Sequence, residues 1–204
     1  SISGLGFDKD KLDVQLVQFA NLFKDGKKVK MSTRSGEFYS LRDLIQDIGT
    51  DAARFYYLSK QADQHLDFDL NLATSDSKEN MFYYIQYAHA RIFSLIKKYK
   101  ASNTEIPVSP DSIIDGSYKQ CDKLIHEISR YPSIVKRSST SLHPHLIIFY
   151  LKDLAHIFHS FYNDNPVLTE TQDNLNSIIL CLGAVKSVIA NGLELLGIEP
   201  MEKM

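Results

Sequence analysis

Met81-Phe82-Tyr83-Tyr84-Ile85-Gln86-Tyr87-Ala88-His89-Ala90-Arg91-Ile92-Phe93-Ser94-Leu95-Ile96-Lys97-Lys98-Tyr99-Lys100 is the stretch that decides the fold. Within it Met81, Tyr84, Ile85, Ala88, Ile92, Leu95, Ile96 and Tyr99 recur largely at three- and four-residue intervals. That spacing lays one apolar stripe along about five turns of α-helix. Such a stripe needs apolar partners, and the downstream sequence supplies them. Leu124, Ile125 and Ile128 mark another helix, and Pro132 opens a short one. Longer helices are predicted over 144–162 and 170–196, with Gly197 as the stop of the last. Residues 101–110, with Ser, Asn, Thr and two prolines, form the clearest loop. The prediction for 75–204 is an antiparallel helix bundle.

Upstream the pattern changes. Leu12, Val14 and Leu16 alternate, and Val17, Phe19, Leu22 and Phe23 extend the run, which suits a half-buried strand. Asp25-Gly26 is well suited to a tight hairpin turn, with Val29 starting the return strand and a basic polar loop after it. Ser40 and Asp43 form a capping box ahead of Leu41, Leu44, Ile45 and Ile48, and Gly49 stops that helix. Thr50 is expected to cap the next helix, whose first turn holds Asp51. A short extended stretch, Leu66 to Leu70, follows. The fold class is therefore mainly α: a short mixed α/β piece over 1–74, then the bundle.

With 44% apolar and 24% charged residues, the composition is that of an ordinary globular protein. No apolar run approaches the ~20 residues that span a bilayer, and no cleavable leader opens the chain. Two cysteines, Cys121 and Cys181, are too few for a disulfide scaffold. These features predict a cytoplasmic chain with no membrane contact. Against 25 acids stand 23 Lys and Arg, a net charge of −2, so any polyanion must be met locally. Two basic clusters are available. Residues 24–34 hold Lys24, Lys27, Lys28, Lys30 and Arg34 against Asp25, and residues 91–100 hold Arg91, Lys97, Lys98 and Lys100 with no acid.

Some of these residues suit particular chemistry. Lys30-Met31-Ser32 offers an ammonium and a hydroxyl that can pair with triphosphate oxygens as charge separates between phosphates. Taken alone, the tripeptide is most simply a solvated basic loop. Tyr83, Tyr84, Tyr87 and Tyr99, with Phe82 and Phe93, are ordinarily core on an amphipathic helix. Yet they bracket Gln86, His89 and Arg91, and aromatic faces beside Gln and Arg are how unpaired RNA loops are recognised. His143/His145 and His156/His159 have metal-compatible spacing but no cysteine or carboxylate in frame, so no metal is expected. Both cysteines lie on apolar helical faces. Asp67 and Asp69 read as turn or capping residues rather than an acid/base pair.

Several blocks carry a family resemblance. Val17-Gln18-Phe19 through Lys24-Asp25-Gly26 to Val29-Lys30-Met31-Ser32-Thr33-Arg34-Ser35-Gly36 resembles the signature-loop region of class I aminoacyl-tRNA synthetases, in particular the arginyl family. Leu41-Arg42-Asp43-Leu44 with Gly49 to Phe55, and Ala62 to Leu70, are similar to that family's next segments. Tyr83-Tyr84-Ile85-Gln86-Tyr87-Ala88-His89-Ala90-Arg91 is a near-verbatim family motif, and Ala190 to Ile198 with Pro200 and Met204 resembles its C-terminus.

The resemblance implies ATP-dependent attachment of arginine to its tRNA, with Lys30, Ser32 and Arg34 catalytic and Lys30, Met31 and Ser32 at ATP. It also implies tRNA anticodon stem-loop contact by Tyr84, Gln86, Tyr87, His89, Arg91, Tyr162 and Met204. The class's His-x-Gly-His type motif does not occur, and the first residue is Ser1. The chain is expected to be the C-terminal portion of a longer monomeric enzyme and inactive alone. ATP with Mg2+ and arginine would be substrates of the whole, with no cofactor held tightly in these residues. Position 33 is Thr where the class signature ends in a second lysine. Lys30, Arg34 and a lysine outside the chain are the candidates for that charge. The competing reading is a non-catalytic helical RNA-binding module derived from a synthetase.

Overall fold

A strand can form only where another strand accepts its hydrogen bonds, and here the acceptor is short. The computed structural model describes residues 2–29, 39–102, 121–165, 167 and 172–204. Strands β1 (Ala20–Lys24), β2 (Lys27–Lys28) and β3 (Leu66–Asp69) make a sheet of order β2-β1-β3. β1 runs antiparallel to β2 and pairs parallel with β3 from Ala20↔Leu66 to Phe23↔Asp69. The alternating run from Leu12 therefore does not continue as a strand. Its side chains are exposed, from 54% at Leu12 to 85% at Phe19, because four-residue β3 has no backbone left to pair with them. One bond, from the Gln18 amide to the Ala62 carbonyl (2.7 Å), is tied just before β1. The return strand is also earlier than expected: Val29 follows β2, its amide bonded to the Leu22 carbonyl.

The Asp-Gly turn forms with φ of 52° at Asp25 and 70° at Gly26, as a hairpin with right-handed strand twist requires. Asn71 braces it, accepting the Asp25 amide and donating to the Asp25 carboxylate, each at 2.9 Å. Between β1 and β3 lie α1 (Leu41–Ile48) and α2 (Thr50–Leu58). The capping box is complete: the Asp43 amide donates to Ser40 Oγ, and the Ser40 amide donates to Asp43 Oδ2. Thr50 does not cap α2. Gly49, at φ 83°, is both the end of α1 and the N-cap of α2, leaving Thr50 already helical. Asp69 caps the short α3 (Leu70–Ala73) through the amides of Asn71 and Leu72, and Asp67 accepts from Asn21. Both acids are structural.

The bundle comprises α4 (Met81–Ser102), α5 (Asp122–Ser129), α6 (Tyr131–Ser141), α7 (His145–Asp164) and α8 (Gln172–Leu195). The α4 stripe packs as its spacing dictates: Ile85, Ala88, Ile92 and Leu95 are buried against α7 and α8. α7 and α8 approach closely at Gly192, where an added Cβ would lie 2.8 Å from a Leu151 methyl. Helix α8 is long and apolar enough to cross a membrane, with a mean hydropathy of 1.7 over an 18-residue window within Leu175–Leu195. Its Ile178, Leu182, Val185, Ile189 and Leu193 fill the bundle core. Cys121 and Cys181 are buried there and share a thiol hydrogen bond, which with burial pushes the Cys181 thiol up. Gly197, at φ 70°, ends α8 with its amide on the Glu194 carbonyl and the Ile198 amide on the Leu193 carbonyl.

A smaller apolar cluster sits between the sheet and the first helices, around Leu22, Leu44, Ala53, Leu66 and Phe68. Helix α2 serves both clusters: Ala53 belongs to the small one, Ala52 and Phe55 to the bundle.

Candidate functional site

A cleft of about 920 Å³ lies between helices α4 and α7 and the residues just ahead of α4. α4 contributes Tyr83, Tyr84, Tyr87 and Arg91; α7 contributes Lys152, Asp153, His156 and His159. Residues 84, 87 and 91 are three and four apart, so one flank of α4 presents all three. On α7 the same rule aligns Lys152, His156 and His159. The floor is aromatic. The Tyr83 and Tyr87 rings stack at 5.9 Å and 8°, and Tyr87 stacks on His159 at 5.6 Å and 20°. Tyr84 tilts onto His159 at 4.6 Å, and its hydroxyl lies 3.4 Å from His156 Nδ1. The Arg91 guanidinium lies 3.8 Å above the Tyr162 ring and 5.5 Å from that of Tyr87. Three cations, Lys78, Arg91 and Lys152, face three acids, Asp76, Glu79 and Asp153. With charge balanced, the stacked rings are the distinctive chemistry.

His159 is held by a hydrogen bond from Nε2 to the Tyr84 carbonyl at 3.3 Å. Burial pulls its pKa below the ordinary histidine value, and Arg91, Lys78 and His156 push the same way against that hydrogen bond. The ring is thus neutral near pH 7.

Of the expected contact residues, Tyr84, Tyr87 and Arg91 line the cleft together, while Tyr162 adjoins them under the Arg91 guanidinium without lining it. Gln86 and His89 do not join them, because they lie on the opposite flank of α4 and are buried. The Gln86 amide donates to the Glu199 carbonyl at 2.8 Å and accepts the Met201 amide at 2.9 Å. Between these sits Pro200, which has no amide hydrogen to satisfy. His89 Nδ1 lies 2.7 Å from the Met201 carbonyl, and Asp51 accepts the Glu199 amide at 3.0 Å. The tail is therefore clamped to α2 and α4. Met204 ends it, half exposed, and does not line the cleft. Lys30, Met31, Ser32 and Arg34 lie outside the described residues.

The residues that sequence reading left unassigned are Tyr83, Lys78, Lys152, His156 and His159. The i, i+3 histidines on α7 were the available signal, and their spacing alone left capping, packing, tRNA contact and metal ligation open. Among the described residues no group of three potential ligands is assembled.

Three buried histidines give the fold a pH dependence, His145 among them, where burial and the neighbouring His143 lower the pKa against Asp63. Burial lowers the pKa of His89 as well as that of His159; around His89, Lys186 adds to this while the Met201 hydrogen bond, Glu202 and Glu194 oppose it. Each stays neutral when folded and takes a proton more readily when unfolded. Their stabilisation is full above the unfolded value of about 6.5 and falls as pH drops toward the folded values. Tm is expected to decline on acidification from about pH 7 to pH 5. His89→Gln and His159→Gln should each flatten that decline, measured by thermal melts across pH.

Helical bundle, aromatic cleft and clamped tail all fall within, or start just ahead of, the stretch that a known domain family covers. Residues 85–204 match the DALR anticodon binding domain, and the chain belongs to that family. Over its whole length it is 44% identical to the arginine–tRNA ligase of Nitrosospira multiformis, and equally to that of Coxiella burnetii strain RSA 331. It spans about a third (35%) of each of those relatives. A Campylobacter jejuni protein assigned as an arginyl-tRNA synthetase superposes over all of it with a TM-score of 0.84 at 33% identity, 43% of that chain being covered. The Plasmodium falciparum arginyl-tRNA synthetase superposes on 79% of it at a TM-score of 0.66 and 25% identity, over 28% of its own length.

Proposed function

We propose that this chain is the tRNA-binding portion of an arginine–tRNA ligase and engages the anticodon stem-loop of arginine tRNA through the α4–α7 cleft. The observation that carries the reading is the stacked set Tyr83, Tyr87 and His159 beside Arg91, in a chain of the anticodon-binding family. Unpaired bases stack on such faces, and a guanidinium held over a ring is ready for a base edge or a phosphate. The full enzyme, a cytoplasmic monomer, would consume ATP with Mg2+ and arginine at parts outside this chain. Residues 1–74 would close its catalytic domain, with Lys30, Ser32 and Arg34 acting on the triphosphate and Met31 lining it. Residues 75–204 would be the anticodon-binding domain. Titration with a synthetic arginine anticodon stem-loop RNA tests the reading. Binding should weaken with salt at a slope of about −1.4 to −2.8 in log K against log salt, two to four phosphate contacts. Absence of binding at low salt, or equal binding to a duplex without the loop, overturns it.

A further inference from the structure

The outward row of α4 does not end at the cleft. Tyr83, Tyr87, Arg91, Ser94, Lys98 and Ala101 follow one another at three- and four-residue steps, opening with two tyrosines and continuing through Arg91, Ser94 and Lys98 to Ala101. At its far end lies a second cavity of about 330 Å³, between Phe93, Lys97 and Ala101 of α4 and Glu202 and Lys203 of the tail. The Lys186 ammonium lies 5.7 Å from the Phe93 ring centroid and adds to the positive charge there. Among the described residues Lys97 and Lys203 carry no ion pair, and both are exposed. The tail wall is fixed in place, because Gln86 and His89 hold Met201, immediately before Glu202.

We propose that this cavity is a second RNA subsite, taking one nucleotide of the strand that leaves the cleft. The proposal rests on the cleft being an RNA site. The base lies against Phe93, its phosphate pairs with Lys97 and Lys203, and Glu202 accepts from an exocyclic amino group. The volume is at the small end of ligand sites, ~300–1,000 Å³, and admits one nucleotide rather than a peptide helix. Reach is adequate too. Arg91 and Lys97 are six residues apart, ~9 Å along the helix, and a strand rising ~3.4 Å per nucleotide covers that in about three. Gln86 and His89 then act as positioning residues through the tail, without touching RNA.

The test uses the same synthetic arginine anticodon stem-loop RNA with three variants of the chain. Lys97→Ala with Lys203→Ala should leave Tm unchanged and make the slope of log K against log salt shallower by about 1.4, two single-strand phosphate contacts. Phe93→Leu should weaken binding about fivefold or more with the slope unchanged, the loss of a stacked base. Tyr87→Ala serves as the control for the cleft. If Tyr87→Ala weakens binding while the lysine pair leaves the slope untouched, the second subsite is overturned and the cleft reading stands. If the unaltered chain binds no RNA, both fall.

Discussion

Phe55→Ala is expected to destabilise the whole chain by about 3–5 kcal/mol, the usual loss when a buried aromatic is truncated. Phe55 is fully buried on α2 and meets Tyr56 at 5.8 Å and Phe82, in the first turn of α4, at 5.4 Å. One residue pair away, Ala53 and Tyr56 pack against the small cluster under the sheet. The α2 helix is therefore shared between two cores, and loosening it weakens both. For a chain of this size each kcal/mol moves Tm by roughly 2–4 °C, so a fall of at least about 6 °C should be seen. Circular dichroism in the far and near ultraviolet should report one transition for the variant. A drop under about 1 kcal/mol, or separate melting of the two parts, would show that α2 does not couple them.

Features legible in the sequence share one property: their partners are close along the chain. The Ser40–Asp43 box, the Asp25-Gly26 turn, the Gly197 stop and the α4 stripe depend on neighbours a few residues away, or on any apolar surface. Gln86 and His89 illustrate the opposite case. Their partners, the Glu199 and Met201 backbone groups, lie over a hundred residues further on. As types, Gln and His beside tyrosines suit RNA edges equally well, so only the three-dimensional path of the tail separates the two roles. The run from Leu12 to Phe19 went astray for a related reason. Alternation reports that a segment can be a strand, whereas β3 decides how much of it is paired. The far half of the cleft was hidden because His156 and His159 acquire meaning only when α7 is set against α4.

Tyr84 and Tyr87 lie one turn apart on α4, yet their alanine variants should behave differently. Tyr84 packs against the bundle core, burial raises its pKa, and its ring closes on His159. Truncating it removes both packing and cleft surface, so Tm and RNA affinity should fall together. Tyr87 instead lies half-buried, its ring stacked with those of Tyr83 and His159. Its removal should leave Tm nearly unchanged while costing ~1–3 kcal/mol per base contact, about five- to 150-fold in affinity. Tyr87→Phe keeps the stacking face and should bind almost as the unaltered chain does. Arg91 supplies the internal control. It rests 3.8 Å above Tyr162 as well as near Tyr87, so its guanidinium keeps a platform when Tyr87 is cut back. Arg91→Lys, by contrast, trades a planar stacking cation for a point charge and should weaken binding with little change in the salt slope. Melting temperature and stem-loop affinity, measured on both alanine variants and corrected for the folded fraction, decide the matter. Two destabilised proteins with unchanged affinity per folded molecule would return both tyrosines to the core, and the cleft would lose its claim to RNA.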